Sequence, residues 1–175
     1  MTEPAEPPSG EVAVMVAVQQ ALADRPGVLP AARGLSHFGE HSIGWVAVSL
    51  LGAVLAPRRR REWLVAGAGA FAAHAAAVLV KRVVRRKRPH HPAVAVNVGT
   101  PSQLSFPSAH ATSTTAAAIL MSHATGLPLR GILVPPMALS RILAGVHYPS
   151  DVVAGIALGA AVAHIAIRLD RGARA

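Results

Sequence analysis

Two histidines and a carboxylate in the second half of the chain have the residue types that phosphate transfer needs. His147 precedes Asp151 by four residues, and His110 lies upstream of both. A carboxylate at this spacing can orient one imidazole so that its free nitrogen attacks phosphorus, while the second imidazole protonates the leaving oxygen. Taken alone, His147 with Asp151 fits a structural hydrogen bond equally well, and His110 fits a hydrogen bond between helices. The groups near these residues must therefore decide between a catalytic and a structural role.

Permanent positive charges stand close to these residues. A basic stretch follows an apolar segment, and Lys81, Arg85 and Arg88 share one face if that helix continues to Pro89. Such a stretch alone usually anchors a membrane segment or binds anionic lipid headgroups. Arg141 stands near the end of another apolar segment, where an unpaired guanidinium is costly and by default functional. Together these cations could bind a phosphate group and stabilise the negative charge that develops on its oxygens during transfer.

A predicted helix start supplies further donors. Pro107-Ser108-Ala109-His110 has the residue types that begin a helix, and the free N–H groups around Ser108 and Ala109 form an anion site. Ser108 alone would simply cap the helix. The chain has no cysteine, and Asp151 is the one carboxylate near these groups, which leaves too few ligands for a metal ion. We therefore expect chemistry without a metal or another cofactor.

The composition places these groups in a membrane protein. The 175-residue chain has a net charge of +9, yet 52% of its residues are hydrophobic and its mean hydropathy is +0.43. A nucleic-acid binder spreads its lysines and arginines over a water-soluble surface, so a nucleic-acid partner is excluded. The expected partners are membrane lipids and a lipid-linked phosphate substrate. The length fits one domain, and the sequence does not specify an oligomeric state.

The predicted fold is all-α, an integral membrane bundle of about five transmembrane helices plus an N-terminal interfacial helix. Residues 1–10 are expected to be disordered, and 11–175 to form a single domain that crosses the cell membrane several times. Val12–Val18 is too short to cross and is expected to lie along the surface. Small residues at four-residue spacing in the second and fifth crossings let helices approach closely. The expected crossings are Ser42–Ala56, Trp63–Val80, Ala111–Gly126, Leu129–Gly145 and Val152–Ile167.

Three motifs, in order and with matching spacing, resemble the signature of the type 2 phosphatidic acid phosphatase (PAP2) superfamily. They are Lys81-x6-Arg88-Pro89, Pro107-Ser108-Ala109-His110 and Ser140-Arg141-x5-His147-x3-Asp151. The resemblance implies a PAP2-like membrane fold and a phosphoric monoester hydrolase. This chain departs from the family in two respects. Ala109 stands where the family usually has Gly, and five crossings are predicted where membrane members usually have six.

The resemblance also implies a role for each motif residue. His147 is the nucleophile that forms a phosphohistidine, Asp151 is its orienting partner, and His110 is the general acid. Water then hydrolyses the phosphohistidine. The implied phosphate-binding residues are Lys81, Arg88, Ser108, Ala109 and Arg141.

The choice of substrate within the family rests on the general character of the chain rather than on a motif. The small size, alanine-rich helices and short N-terminal region are most similar to actinobacterial members that act on decaprenylphosphoryl-5-phosphoribose in the synthesis of cell-wall arabinan precursors. Phosphatidylglycerophosphate, phosphatidate and polyprenyl diphosphate, an acid anhydride, are the alternative substrates. Vanadium haloperoxidases share the motifs but are larger soluble proteins. A membrane anchor without enzymatic activity, which binds anionic lipid through its basic residues, is the remaining alternative.

Further polar residues are expected near the substrate or between helices. His74 and His164 lie inside apolar segments and are expected to make hydrogen bonds between helices. The loop between the first two motifs is expected to contact the substrate headgroup. Its candidate donors are His90, His91, Asn97, Thr100, Ser102 and Gln103.

Overall fold

Helices make up the regular structure of this chain. The structure is a computed structural model that describes residues 7–173, and within this range it contains seven α-helices and no β-strand. The prediction of an all-α chain is confirmed. Residues 1–6 of the predicted disordered segment lie outside the described residues, and Gly10 begins the first helix. The helices are α1 (Gly10–Leu22), α2 (Val28–Gly39), α3 (Ile43–Leu55), α4 (Arg60–Val84), α5 (Ala109–Thr125), α6 (Leu129–Leu143) and α7 (Pro149–Gly172).

Helix α5 is the central element of the bundle. It packs against α4, α6 and α7, and most of its residues are buried. Glycines allow this close approach: a Cβ on Gly159 of α7 would lie 2.2 Å from the carbonyl oxygen of Thr112. A Cβ on Gly69 of α4 would lie 2.3 Å from Cδ1 of Leu120. A Cβ on Gly159 would clash with backbone, and one on Gly69 would push Leu120 aside, so the close approach at the predicted small-residue faces is confirmed.

Three stretches are long and apolar enough to cross a membrane: Val28–Leu55, Pro57–Val84 and Pro149–Gly172. They contain the second and fifth predicted crossings and all of the first except its last residue, Ala56. The third and fourth predicted crossings correspond to α5 and α6, which have 17 and 15 residues and are shorter than a full span. Residues 7–173 therefore contain three candidate membrane spans, and the count of five crossings stays a prediction.

Helix α2 is absent from the elements predicted from the sequence. Pro30 is only its third residue, a position where the missing N–H has no helical acceptor, so the proline does not break the helix. Gly27 precedes the helix with φ 82°. After α2 the chain kinks, because His41 and Ser42 have φ of 49° and 60°. The kink brings α2 against α6 and α3 against α4.

Helix α4 does not continue to Pro89, which was the condition for Lys81, Arg85 and Arg88 to share one face. The helix ends at Val84, and Arg85 takes a left-handed conformation with φ 56°. Lys87 then forms an isolated antiparallel bridge with Leu104, so the loop that follows α4 folds back on itself. Arg85 is exposed and does not share a helical face with the other two predicted cations.

Candidate active site

One cavity of about 910 Å³ brings together six of the eight predicted site residues. It lies where the C-terminal ends of α4 and α6 meet the N-terminal end of α5, with α2 along one side. The other two residues, Ser108 and Asp151, are fully buried. The predicted residues that line the cavity are Lys81, Arg88, Ala109, His110, Arg141 and His147.

His147 turns one ring nitrogen towards Asp151 and the other towards the cavity. Nδ1 lies 3.6 Å from Oδ2 of Asp151, and within residues 7–173 it has no hydrogen-bond partner. Nε2 lies 3.5 Å from Nη1 of Arg88. The carboxylate is fixed on both sides, since Oδ2 accepts the N–H of Tyr148 at 2.9 Å and Oδ1 accepts Nη1 of Arg86 at 2.9 Å. Nε2 is therefore the nitrogen that can reach a bound group, and contacts of this kind often shorten once substrate binds.

The surroundings of His147 keep it neutral. Burial lowers the pKa of His147 to about 4; the positive charges of Arg88 and Lys81 also lower it, whereas Asp151 raises it. A neutral imidazole keeps the electron pair that a nucleophile needs. Burial also lowers the pKa of Arg88 to about 10, so its guanidinium stays charged at neutral pH. The cavity thus holds the neutral imidazole of His147 beside the positively charged guanidinium of Arg88.

Backbone carbonyls hold the two cations of the first motif. Arg88 donates from Nε to the carbonyl oxygen of Ser102 and from Nη1 to that of Val146, both at 2.7 Å. Lys81 donates from Nζ to the carbonyl oxygen of Ser105 at 2.8 Å. These bonds orient both side chains, and because the acceptors are neutral carbonyl oxygens, no anion offsets the two positive charges in these contacts.

Helix α2 positions Arg141 and His110, the remaining charged and titratable residues of the motifs. Arg141 is buried near the end of α6; its Nε donates to Oγ of Ser140 at 3.0 Å, and its Nη2 donates to Oγ of Ser36 on α2. The carbonyl oxygen of Ser36 lies 3.0 Å from Nε2 of His110. Since a carbonyl oxygen can only accept, Nε2 carries a proton in this contact. A Cβ on Gly39 would lie 2.7 Å from Cδ2 of His110, so this glycine makes room for the ring.

Ser108 serves as the N-cap of α5. Its Oγ accepts a hydrogen bond from the N–H of Ala111 at 3.4 Å, and its own N–H donates to the carbonyl oxygen of Asp151 at 2.9 Å. Among the described residues, Ala109 lines the cavity and Ser108 does not. The first turn of α5, where N–H groups lack helical acceptors, therefore reaches the cavity through Ala109.

The sequence from the start of α4 to the end of α7 identifies the family of the chain. Residues 62–174 match the sequence model of the PAP2 superfamily, which is more than half of the chain. This range includes all three motifs and the three helix ends, those of α4, α5 and α6, that meet at the cavity. The chain belongs to the PAP2 superfamily.

Curated relatives of this PAP2 chain are phosphatases. The chain is 78% identical to the decaprenylphosphoryl-5-phosphoribose phosphatase of Mycobacterium tuberculosis over 158 residues, which are 90% of this chain and 89% of the relative. It is 70% identical to the protein of the same name from Mycolicibacterium smegmatis over 148 residues, 85% of this chain and 82% of that relative. Together with the family match, these relatives confirm the predicted phosphoric monoester hydrolase.

Solved structures share the fold. The chain is similar to the transmembrane PAP2-type phosphatidylglycerolphosphate phosphatase from Bacillus subtilis, with a TM-score of 0.70 and 20% identity over 91% of this chain and 86% of that one. A bacterial vanadium-dependent iodoperoxidase gives a TM-score of 0.68 at 18% identity and covers 95% of this chain but 52% of that chain. At these identities the likeness concerns the fold alone, and it confirms the PAP2-like architecture.

The PAP2 cavity also contains residues that the sequence analysis does not single out. Arg33, Ser36, His37 and Glu40 from α2 and its end line the cavity, as does His41 in the kink. Arg33, His37 and Glu40 have the i, i+4, i+7 spacing of residues on one face of a helix. A helix predicted over 28–39 would have shown this polar face.

The two histidines inside apolar segments differ from the expectation. His74 lines the cavity, where its ring centroid lies 5.6 Å from that of His41, and its Nδ1 has no hydrogen-bond partner within residues 7–173. Nδ1 of His164 lies 2.7 Å from the carbonyl oxygen of Ala160 in the same helix, so the expected bond between helices is wrong there.

Half of the six candidate donors in the loop between the first two motifs line the cavity, and their contact with the substrate headgroup stays a prediction. Three of the six candidates, Asn97, Thr100 and Ser102, line the cavity. The other three are not in its lining as far as residues 7–173 are concerned; they are His90, His91 and Gln103.

Proposed function

We propose that the chain hydrolyses the 5-phosphate monoester of decaprenylphosphoryl-5-phosphoribose through a phosphohistidine at His147. The substrate rests on the relatives of that name, one of which is 78% identical over 90% of this chain. The reaction rests on one observation, the buried His147 whose Nε2 faces Arg88 while Nδ1 faces Asp151. A neutral nucleophile beside a fixed cation is what phosphoryl transfer requires.

In the proposed first step, Nε2 of His147 attacks phosphorus and the bond between phosphorus and the ribose oxygen breaks. Because the Nε2 proton of His110 is held by the carbonyl oxygen of Ser36, His110 acts in this step as an imidazolium, a form that the adjacent anionic phosphate favours. It gives its other proton to the ribose oxygen, so the ribose leaves as an alcohol. Asp151 stabilises the positive charge on the phosphorylated imidazole through the Nδ1 proton. In the second step, water attacks phosphorus, His110 takes the proton of that water, and His147 leaves as inorganic phosphate forms. The phosphodiester that joins the ribose to the decaprenyl chain stays intact.

The phosphate oxygens gain negative charge in both steps and need nearby donors. We propose that Lys81, Arg88 and Arg141 bind these oxygens together with the N–H of Ala109 in the first turn of α5. Ser108 contributes through its cap, because its own N–H already donates to the carbonyl oxygen of Asp151. The hydroxyl of Ser108 caps that turn and so fixes the direction of its N–H groups.

We further propose that the chain crosses the cell membrane five times and that α1 lies at its surface. Helices α5 and α6 measure roughly 26 and 22 Å at about 1.5 Å per residue, so flanking residues would complete their crossings. Large apolar side chains are exposed on the other helices, for example Val54, Phe71 and Ile165. A cavity at the ends of these helices suits a phosphate that is linked to a lipid in the same bilayer.

Phosphate release from a panel of lipids tests the substrate and the nucleophile together. The panel consists of decaprenylphosphoryl-5-phosphoribose, phosphatidylglycerophosphate, phosphatidate and decaprenyl diphosphate. We expect the highest kcat/KM for the first and no release by His147→Ala. A higher kcat/KM for another lipid would contradict the substrate. Activity retained in His147→Ala would contradict the mechanism, and a wild-type chain inactive on all four lipids would favour the membrane anchor.

We also propose that the reaction needs no metal ion. Within residues 7–173, no group of three or more His, Asp or Glu side chains is placed to hold a metal ion. The cations named above would neutralise the phosphate in place of a metal. Phosphate release is therefore expected to persist in EDTA. A loss of activity in EDTA that Mg²⁺ or Zn²⁺ restores would contradict this proposal.

A further inference from the structure

Asp151 is held by the side chain of Arg86, one of the six unspecified residues in the motif Lys81-x6-Arg88-Pro89. Nη1 of Arg86 donates to Oδ1 of Asp151 at 2.9 Å and to Oγ of Ser150 at 2.6 Å. Oδ2, the oxygen nearest His147, accepts the N–H of Tyr148 at 2.9 Å. Asp151 is fully buried, whereas the side chain of Arg86 is 32% exposed. Arg86 therefore fixes the rotation of the carboxylate and balances its charge from the side opposite His147.

Arg86 is fixed in turn by the N-terminal helix. Its Nη2 donates to Oε1 of Glu11 on α1 at 2.7 Å, and its guanidinium carbon lies 4.0 Å from the ring centroid of Tyr148. Oε2 of Glu11 accepts the N–H of Ser150 at 2.8 Å, a donor in the first turn of α7 that has no helical acceptor. Burial raises the pKa of Glu11, but the hydrogen bonds from Arg86 and Ser150 outweigh burial and lower it. Glu11 is thus an anion at neutral pH.

The far end of α1 is fastened to the same part of the molecule. Nε2 of Gln19 donates to the carbonyl oxygens of Ala95 at 2.7 Å and Leu143 at 3.1 Å, and its Oε1 accepts the N–H of Ala95 at 3.0 Å. Met15, between the two polar residues, is fully buried. Helix α1 lies outside residues 62–174, which match the family, yet it is attached at both ends to the elements that form the active site.

We propose that Glu11 and Arg86 are positioning residues that orient Asp151 behind His147, so that α1 takes part in setting the nucleophile. This inference rests on the proposed function, in which His147 attacks phosphorus. Without Arg86, the buried carboxylate would lose its cation and could rotate away from Nδ1. Within residues 7–173, Arg86 does not line the cavity. Its loss should therefore lower kcat and leave KM unchanged.

Steady-state kinetics of phosphate release from decaprenylphosphoryl-5-phosphoribose provide the test. We expect Arg86→Met to lower kcat by about 10-fold to 100-fold with KM within about twofold of the wild type. Arg86→Lys should recover part of the loss, because an ammonium keeps the charge but cannot form the fork to three partners. Glu11→Gln should have a smaller effect, since the amide keeps a contact without the charge. Lys87→Met, a neighbouring exposed cation, is the control for lost charge and should keep the wild-type kcat.

The double variant distinguishes a coupled pair from two separate structural effects. If Glu11 acts through Arg86, Glu11→Gln adds no further loss of kcat in the Arg86→Met background. Multiplied losses in the double variant would overturn the proposal, as would a wild-type kcat in folded Arg86→Met or losses that follow melting temperature across all variants. If the wild type fails on this substrate, the substrate assignment fails first, and the variants are compared on whichever panel lipid it hydrolyses. A wild type inactive on the whole panel would overturn the inference as well.

Discussion

Replacement of Asp151 by Asn tests what the carboxylate behind His147 contributes to the reaction. The substitution keeps the size of the side chain and removes its charge, 3.6 Å from Nδ1 of His147. In the proposed mechanism Nε2 attacks phosphorus, so the imidazole gains positive charge, which the carboxylate would stabilise. We expect Asp151→Asn to lower kcat with little change in KM, since Asp151 is not among the described residues that line the cavity.

The distance between these two groups sets the size of the effect. Two unit charges 3.6 Å apart interact by about 4.6 kcal/mol at an effective dielectric constant of about 20. If the ring carries a full charge in the transition state, the loss corresponds to about a 2,000-fold fall in kcat, and half a charge corresponds to about 50-fold. The expected fall lies between these limits.

The assay is steady-state phosphate release by the purified wild type and Asp151→Asn in detergent. His147→Ala provides the level expected without a nucleophile. Asp170→Asn removes a carboxylate near the opposite end of α7 and controls for the general loss of negative charge. A kcat of Asp151→Asn within about threefold of the wild type, or a fall explained entirely by KM, would refute the reasoning.

Three other measurements probe the pKa of His147, the helix cap and the turn before the nucleophile. Modification of His147 by diethylpyrocarbonate, which attacks the neutral ring, should slow only as the pH falls towards its pKa of about 4; a midpoint near 6.5 would contradict the argument from burial. Ser108→Ala should cost about 1 kcal/mol in thermal unfolding with a modest fall in kcat, whereas a fall as large as that of Asp151→Asn would show that the hydroxyl contacts phosphate. Gly145→Ala should lower both melting temperature and kcat, because Gly145 has φ 72° and its Cβ would lie 2.1 Å from a carbonyl oxygen. Gly131→Ala, with open space at its Cβ, is the control, and equal behaviour of the two variants would contradict the prediction.

The residues that define the cavity could be predicted because they stand at the ends of apolar segments. Lys81 ends one segment, His110 begins the next, and Arg141 ends the one after that. Successive helices that each cross the membrane run in opposite directions, so the end of one and the start of the next lie on the same side. His147 follows from the same argument, because it precedes the last segment. The structure brings these four residues into one cavity, as this reasoning expects.

The local course of the chain after α4 could not be predicted. No Gly or Pro marks Val84 as the last residue of the helix, and an arginine seldom adopts the left-handed conformation that Arg85 has here. A helix continued to Pro89 would have placed Arg85, rather than Arg86, among the functional groups. The break redirects the chain so that Arg86 reaches Asp151.

Contacts between residues far apart in the sequence could not be predicted either. Glu11 and Arg86 are 75 residues apart, and no spacing rule links them. Helix α2 was missed for a different reason, because Pro30 reads as a helix breaker although it lies in the first turn, where proline is tolerated. Its contacts with Arg141 and His110 therefore became visible only in the structure.

Detection of the phosphorylated enzyme tests the central claim most directly. The purified chain is mixed with decaprenylphosphoryl-5-phosphoribose labelled in its 5-phosphate, quenched in alkali within milliseconds, and digested for mass spectrometry. The account predicts an alkali-stable, acid-labile phosphoryl group on the peptide that contains His147, and no such group in His147→Ala. Phosphate release by the wild type with no phosphorylated peptide, or with the label on another residue, would contradict it.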